Sequence, residues 1–197
     1  MAAILTNLRN TVITGFVLAI VVLLIVRGGL GGMDQAFWAF IFRWLHVLSG
    51  VMWIGLLWYF NFVQTPSMPK IPDAEKPAVS KVIAPTALFW FRWGAMATLI
   101  TGALLALMNG YLVQALSLQK PFVAIGIGAW LAIVMWFNVW FIIWPNQKKA
   151  LGIVQVTPEE KAAAARRAGM TSRINTMLSI PMLYFMVAQS HGGLAFP

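Results

Sequence analysis

Long apolar stretches govern what this sequence can become. They run from about Val12 to Val26, Ala36 to Val63, Val82 to Asn109, Pro121 to Trp144 and Arg173 to Ser190. Crossing a hydrocarbon core of about 30 Å takes roughly 20 helical residues, so each stretch is a candidate span. Only 10% of the residues are charged, against about 25% in a soluble domain. Such a chain cannot cover a water-facing surface, and lipid is the solvent its exterior suits. The expected fold class is all-α: one integral membrane bundle of about five transmembrane helices, its spans near 12–26, 36–63, 82–109, 121–144 and 173–190. The second and third stretches exceed what a bilayer needs and are expected to tilt or project.

Breakers punctuate the pattern. Arg27 and the run Gly28-Gly29-Leu30-Gly31-Gly32 end the first stretch, Pro66 and Pro69 close the second, Pro145 stops the fourth, and Pro181 lies inside the fifth. The first apolar run continues to Val26, beyond a secretory h-region, and is expected to be a retained helix. Thr157-Pro158-Glu159-Glu160 has an N-cap Thr, Pro at N1 and Glu at N3, the arrangement of a capping box. It predicts a short, polar, cytoplasmic helix at about 158–168 with a solvated face.

The formal net charge of +9 does not indicate nucleic acid, because the cations lie between apolar stretches instead of forming one patch. Arg9, Lys70, Lys76, Lys81, Lys148, Lys149, Lys161, Arg166, Arg167 and Arg173 fall on one side of the expected membrane, and only Arg27 and Lys120 on the other. The positive-inside rule then puts the N-terminus in the cytoplasm and the C-terminus, with His191, outside.

Chemistry is restricted by what is missing. There is no cysteine, which excludes disulfides, thiolate metal sites and c-type haem attachment in this sequence. With two histidines and no carboxylate inside a span, no hydrolytic constellation or carboxylate proton relay is present. The eleven Met residues are scattered without the paired spacing of a copper path. The Trp and Phe clusters, including Trp136, Trp140, Phe141 and Trp144, suit interface belts and packing.

Polar groups at membrane depth are costly and usually face the bundle interior. Arg43, His46, Gly50 and Trp53 recur at i, i+3, i+7 and i+10, on one helix face. A His followed four residues later by Gly suits a flat macrocycle: the imidazole ligates iron and the missing side chain lets the ring lie against the helix. Arg43, one turn away, suits a propionate. The other reading is that His46 hydrogen-bonds a neighbouring helix. His191, at the outer end of the last span, is the second candidate metal ligand, and together they allow bis-His ligation of haem b. Arg92 needs a partner: a propionate, a quinone carbonyl or helix carbonyls. Asn138, Asn175, Thr176 and Ser179 serve as interhelical glue or as ligand contacts.

The segment Arg43-Trp44-Leu45-His46-Val47-Leu48-Ser49-Gly50-Val51-Met52-Trp53-Ile54-Gly55 resembles the RWxHVxxGxxWIG motif in the membrane domain of bacterial membrane-anchored urate hydroxylases. Ile143-Trp144-Pro145-Asn146-Gln147-Lys148-Lys149 is similar to the PNQ motif of that family, and Arg173 to His191 to its last span. The first motif is also similar to the wider group of HemJ-type protoporphyrinogen oxidases and copper-resistance D proteins. The resemblance implies a helical domain of the bacterial cytoplasmic membrane, haem b at His46, and His191 as a ligand or quinone-site residue. Family members end in a cytochrome c domain with a Cys-x-x-Cys-His motif, absent here. The expected function is therefore a membrane electron-transfer subunit, linked to oxidation of a small substrate or quinol and served by an external cytochrome c. The alternative is a cofactor-free accessory subunit of a larger respiratory or photosynthetic complex.

Overall fold

The computed structural model describes residues 2–27 and 32–191, and the side chains of all of these except 2, 3 and 27. Two compact units are distinguished, Met1–Phe40 and Ile41–Pro197. In the first, helix α1 (Leu8–Arg27) follows a single turn at Ala2–Leu5. Its Phe16, Val17, Leu18 and Ile20 are all exposed, a uniformly apolar circumference suited to lipid. The Gly-rich breaker at 28–31 lies outside the described residues. Asp34 then caps the next helix, its Oδ1 accepting from Phe37 N at 2.9 Å, an N-cap to N3 bond.

That helix, α2, runs Gln35–Lys70, and three more elements follow it: α3 (Lys76–Met108), a short α4 (Leu112–Leu116) and α5 (Val123–Ala150). The last helix among the described residues is α6 (Pro158–Ala188). Among the described residues, α1, α2, α3 and α5 are long and apolar enough to cross a membrane. The expected fifth span is not one of them, because α6 carries Arg173 and buries Thr171, Asn175 and Ser179, which lowers its mean hydropathy. Its outer face nevertheless shows Met177, Ile180, Tyr184 and Val187 exposed, an apolar stripe at helical spacing.

The second unit is an antiparallel bundle. His46, Trp53 and Phe60 of α2 meet Gly102, Gly94 and Phe91 of α3, in reversed order. Asn138 and Ile125 of α5 bond Asn175 and Gln189 of α6. Trp53, Leu57, Phe91, Met135 and Val139 are almost fully buried at the centre. At Gly94 a β-carbon would stand 3.3 Å from the Trp53 backbone nitrogen, so the missing side chain sets the α2–α3 spacing. Gly126 is stricter: a β-carbon there would collide with the Ala115 carbonyl, by which α4 sits on α5.

Three expectations are revised. Pro66 does not end α2, which runs on to the 3-10 turn that holds Pro69, and Pro145 does not end α5. Each of three turns widens to π geometry just before a proline: Tyr59–Gln64 before Pro66, Val79–Ile83 before Pro85, and Asn138–Ile143 before Pro145. In each the residue preceding the proline donates five residues back, Thr65 to Phe60, Ala84 to Val79 and Trp144 to Val139. Proline lacks an N–H and its ring clashes with the carbonyl four residues earlier. A widened turn relieves that conflict, so the helix continues.

The third revision concerns the element at 158–168, which is not a separate helix. The capping box at Thr157 and Glu160 forms as expected, with bonds of 3.2 Å in both directions, but the helix then continues unbroken to Ala188. Ala164, Ala168, Thr171, Asn175, Ser179 and Met182 form one buried stripe along it. Spacings of three and four residues keep that stripe on the bundle throughout, so packing carries the helix through Gly169.

Asn175 and Ser179 of the stripe, and the adjacent Ser172, bond across the interface, while Thr171 donates within α6 to Arg167 O at 2.9 Å. Asn175 Nδ2 donates to Met135 O at 2.9 Å, and Asn175 Oδ1 accepts from Asn138 Nδ2 at 2.8 Å. Trp58 Nε1 donates to Ser179 Oγ at 2.9 Å, and Asn61 Nδ2 to Ser172 Oγ at 2.8 Å. Replacing Asn175 by Ala is expected to cost about 1–3 kcal/mol, since it strands the buried Asn138 amide. Thermal unfolding in detergent measures this, with the lipid-facing Ile180→Ala as a near-neutral control.

Candidate functional site

His46 lies on α2, half-buried against α3. Its Nδ1 is 2.9 Å from the Thr98 carbonyl oxygen. A carbonyl only accepts, so Nδ1 carries the proton and donates. In the neutral ring Nε2 then holds the free lone pair. This is the arrangement by which metal-ligating histidines are oriented, one ring nitrogen tied to a carbonyl and the other left to ligate. The Thr101 hydroxyl is 3.4 Å from the same Nδ1, but it donates to Ala97 O at 2.6 Å and so closes the wall around the ring.

The ring rests on Gly102. A β-carbon there would stand 2.7 Å from His46 Cε1 and 3.0 Å from Nδ1. Gly50 is less constrained, because its nearest neighbour would be the Thr98 methyl at 4.0 Å. The glycine on which the histidine depends therefore lies on the neighbouring helix and not four residues along its own. Thr98, Thr101 and Gly102 were not singled out from the sequence. Their signal is present as a polar-small cluster inside an apolar span, but only the α2–α3 pairing shows what it faces.

The remaining candidates separate into other groups. Arg43 is exposed, one turn before His46. Its charge reaches the Tyr111 phenol, whose pKa burial holds above the ordinary value while Arg43 opposes that shift. Tyr111 stacks on Phe122 at 5.0 Å. Trp53 is buried on the His46 face of α2, and its Nε1 has no hydrogen-bond partner. Arg92 is ten residues from Gly102 on α3, about 15 Å at ~1.5 Å per residue. Its guanidinium lies 3.2 Å from the Trp144 ring centroid, and its Nε and Nη1 have no hydrogen-bond partner. It is thus held by the indoles of α5 and not beside His46. His191 is exposed just beyond α6, its Nδ1 3.1 Å from Val187 O. It shares with His46 the end of the bundle where α3 stops and α5 starts, since Gln189 bonds Ile125 N and Pro121 O there.

Residues 112–196 match the family model described as urate oxidase N-terminal. The matched stretch contains the Pro145-Asn146-Gln147 motif, the buried stripe of α6 and His191; the His46 segment precedes it. No curated protein and no solved structure matches the chain.

Gly102→Ala is expected to push the imidazole off the Thr98 carbonyl, whereas Gly50→Ala is accommodated. Nitrogen-15 NMR of labelled histidine reads this directly: the signature of Nδ1–H bonded to a carbonyl disappears in the first variant and persists in the second.

Proposed function

We propose that this chain is the haem b-holding membrane subunit of a redox assembly related to urate oxidases, with the N-terminus cytoplasmic and His46 near the outer face. Support comes from the match to the urate oxidase N-terminal family over residues 112–196. It comes also from four helices fit to cross a bilayer and, above all, from the His46–Thr98 hydrogen bond. That bond fixes the tautomer, so Nε2 would be free to hold haem iron without first losing a proton.

The residues around His46 would hold the group from one side. His46 supplies the ligand, the Thr98 carbonyl its orientation, and Gly102 the space for the ring. Trp53 adds a buried indole N–H with no partner on the same helix face. Arg43 would supply a cation one turn away for a propionate. His191 serves as second ligand or as a quinone contact at the same end of the bundle. Bound haem would supply reversible one-electron exchange between a small substrate or quinol and an external cytochrome c.

One observation favours a second reading, a cofactor-free accessory subunit. The Gly50 face is met by the Thr98 methyl at ordinary packing distance, as in a plain helix–helix contact.

A reduced-minus-oxidised spectrum of protein purified from haem-replete membranes separates the two. The first reading expects a b-type band that is lost in His46→Ala and retained in Arg92→Ala. Haem-replete protein without the band supports the accessory reading.

A further inference from the structure

Neighbouring residues of α3 face different surroundings. Phe91 lines a cavity of about 360 Å³ at the basic end of the bundle, between the three π-turns and α6. Arg92 does not line it. Its guanidinium rests on α5 instead, along the row Trp140, Trp144 and Lys148. That row recurs every four residues, on one helix face.

The edge of this groove is aromatic. Trp93 packs on Trp140 at 5.5 Å and Phe89 on Trp93 at 6.4 Å, and both Phe89 and Trp93 are exposed. Such a rim suits the boundary between lipid and water. Two cations lean on one ring: Arg92 Cζ lies 3.2 Å and Lys148 Nζ 5.6 Å from the Trp144 centroid. Cation–π contact holds them but neutralises neither. Among the described residues no carboxylate pairs with Arg92, and Asp73 is held by Lys76. Arg92 Nε and Nη1 and Trp140 Nε1 are buried donors without a hydrogen-bond partner. Stranded donors beside two uncompensated cations call for an anionic acceptor.

Depth indicates where that acceptor comes from. Lys148 and Lys149 lie in the last turn of α5, and Trp144 is four residues further in, about 6 Å at ~1.5 Å per residue. That distance matches the headgroup layer, about 5–8 Å thick on each side of a hydrocarbon core. A long basic side chain at this level can reach the lipid phosphates.

We propose that the α3–α5 groove formed by Arg92, Trp140, Trp144 and Lys148 binds one anionic phospholipid of the bilayer. The guanidinium and the Lys148 ammonium take the phosphodiester oxygens, and the Trp140 N–H adds a donor. Phe89 and Trp93 flank the acyl chains. A zwitterionic headgroup fits less well. Its choline or ethanolamine brings a third cation, and Arg92 already occupies the Trp144 face that would receive it. The surface is separate from His46 and does not depend on haem.

The test titrates the full chain in detergent with dioleoyl phosphatidylglycerol or dioleoyl phosphatidylcholine and counts the first bound lipid by native mass spectrometry. Phosphatidylglycerol is expected to bind about tenfold or more tightly, and Arg92→Gln to remove about tenfold of that affinity. Lys148→Gln should weaken it by less, and Lys149→Gln, which removes the same charge beside the groove, should leave it unchanged. Thermal unfolding of the lipid-free variants checks that they fold. If Arg92→Gln does not fold, Lys148→Gln against Lys149→Gln decides, and equal binding by those two overturns the proposal. Equal affinity for the two lipids also overturns it, as does equal weakening by all three variants, which would mean diffuse attraction to a basic surface. Displacement of phosphatidylglycerol by millimolar inorganic phosphate would assign the groove to a soluble anion and likewise overturns it.

Discussion

The bundle depends on the polar stripe of α6. In lipid, apolar burial supplies little attraction between helices, because acyl chains solvate Leu and Ile as well as a neighbouring helix does. Specific bonds and close packing must then position the helices. Asn175, with no exposure, joins two groups of α5, while Ser172 and Ser179 accept from α2. One helix thereby holds two others at defined depths. The outward faces can be uniformly apolar because they need only dissolve in lipid. This inversion, polar inside and apolar outside, explains how a helix with a fully buried Asn belongs to the bundle.

The same constraint explains the π-turns. In water, a proline in mid-helix frees a carbonyl that solvent can satisfy. At membrane depth the carbonyl must be satisfied by protein, so breaking the helix is more costly than widening it. The bonds from Thr65, Ala84 and Trp144 each reach five residues back and keep the ladder continuous past the proline. All three lie toward the basic end, and the side chains they redirect are the ones that meet around the cavity. Continuity of the backbone and the opening of the cavity are two results of one local adjustment.

This also marks how much was legible in the sequence. Apolar runs and low charge were enough for the all-helical membrane class, because those signals are additive along the chain. The capping box at Thr157 was legible because it is local. The ends of α2 and α5 were not, since proline is a breaker by its own chemistry and only the surrounding solvent decides whether the chain yields. Nor was the length of α6, whose continuity through Gly169 depends on a stripe of small residues facing α5. At the candidate site, the His46 face could be read from its periodicity. Its partners could not: Thr98 and Gly102 become significant only once α2 and α3 run antiparallel with His46 opposite Gly102. Arg92 sits inside an apolar span, and the indole of Trp144 against it is a partner that spacing along one helix cannot identify.

Charge links the architecture to the cavity at the basic end of the bundle. Arg166 and Arg173 belong to the set of cations whose one-sided placement predicts the orientation of the chain. Their position also makes them line the cavity, where no carboxylate balances them. A cation that serves only orientation can remain in water or among headgroups and needs no neighbouring acceptor. His46 is the opposite case. It is oriented by a single carbonyl, in a wall of Thr and Gly, toward the end of the bundle that is poor in charge. From His46 to Gln64 along α2 is 18 residues, about 27 Å at ~1.5 Å per residue. One helix thus carries an oriented imidazole near one end and a buried amide oxygen without a partner near the other.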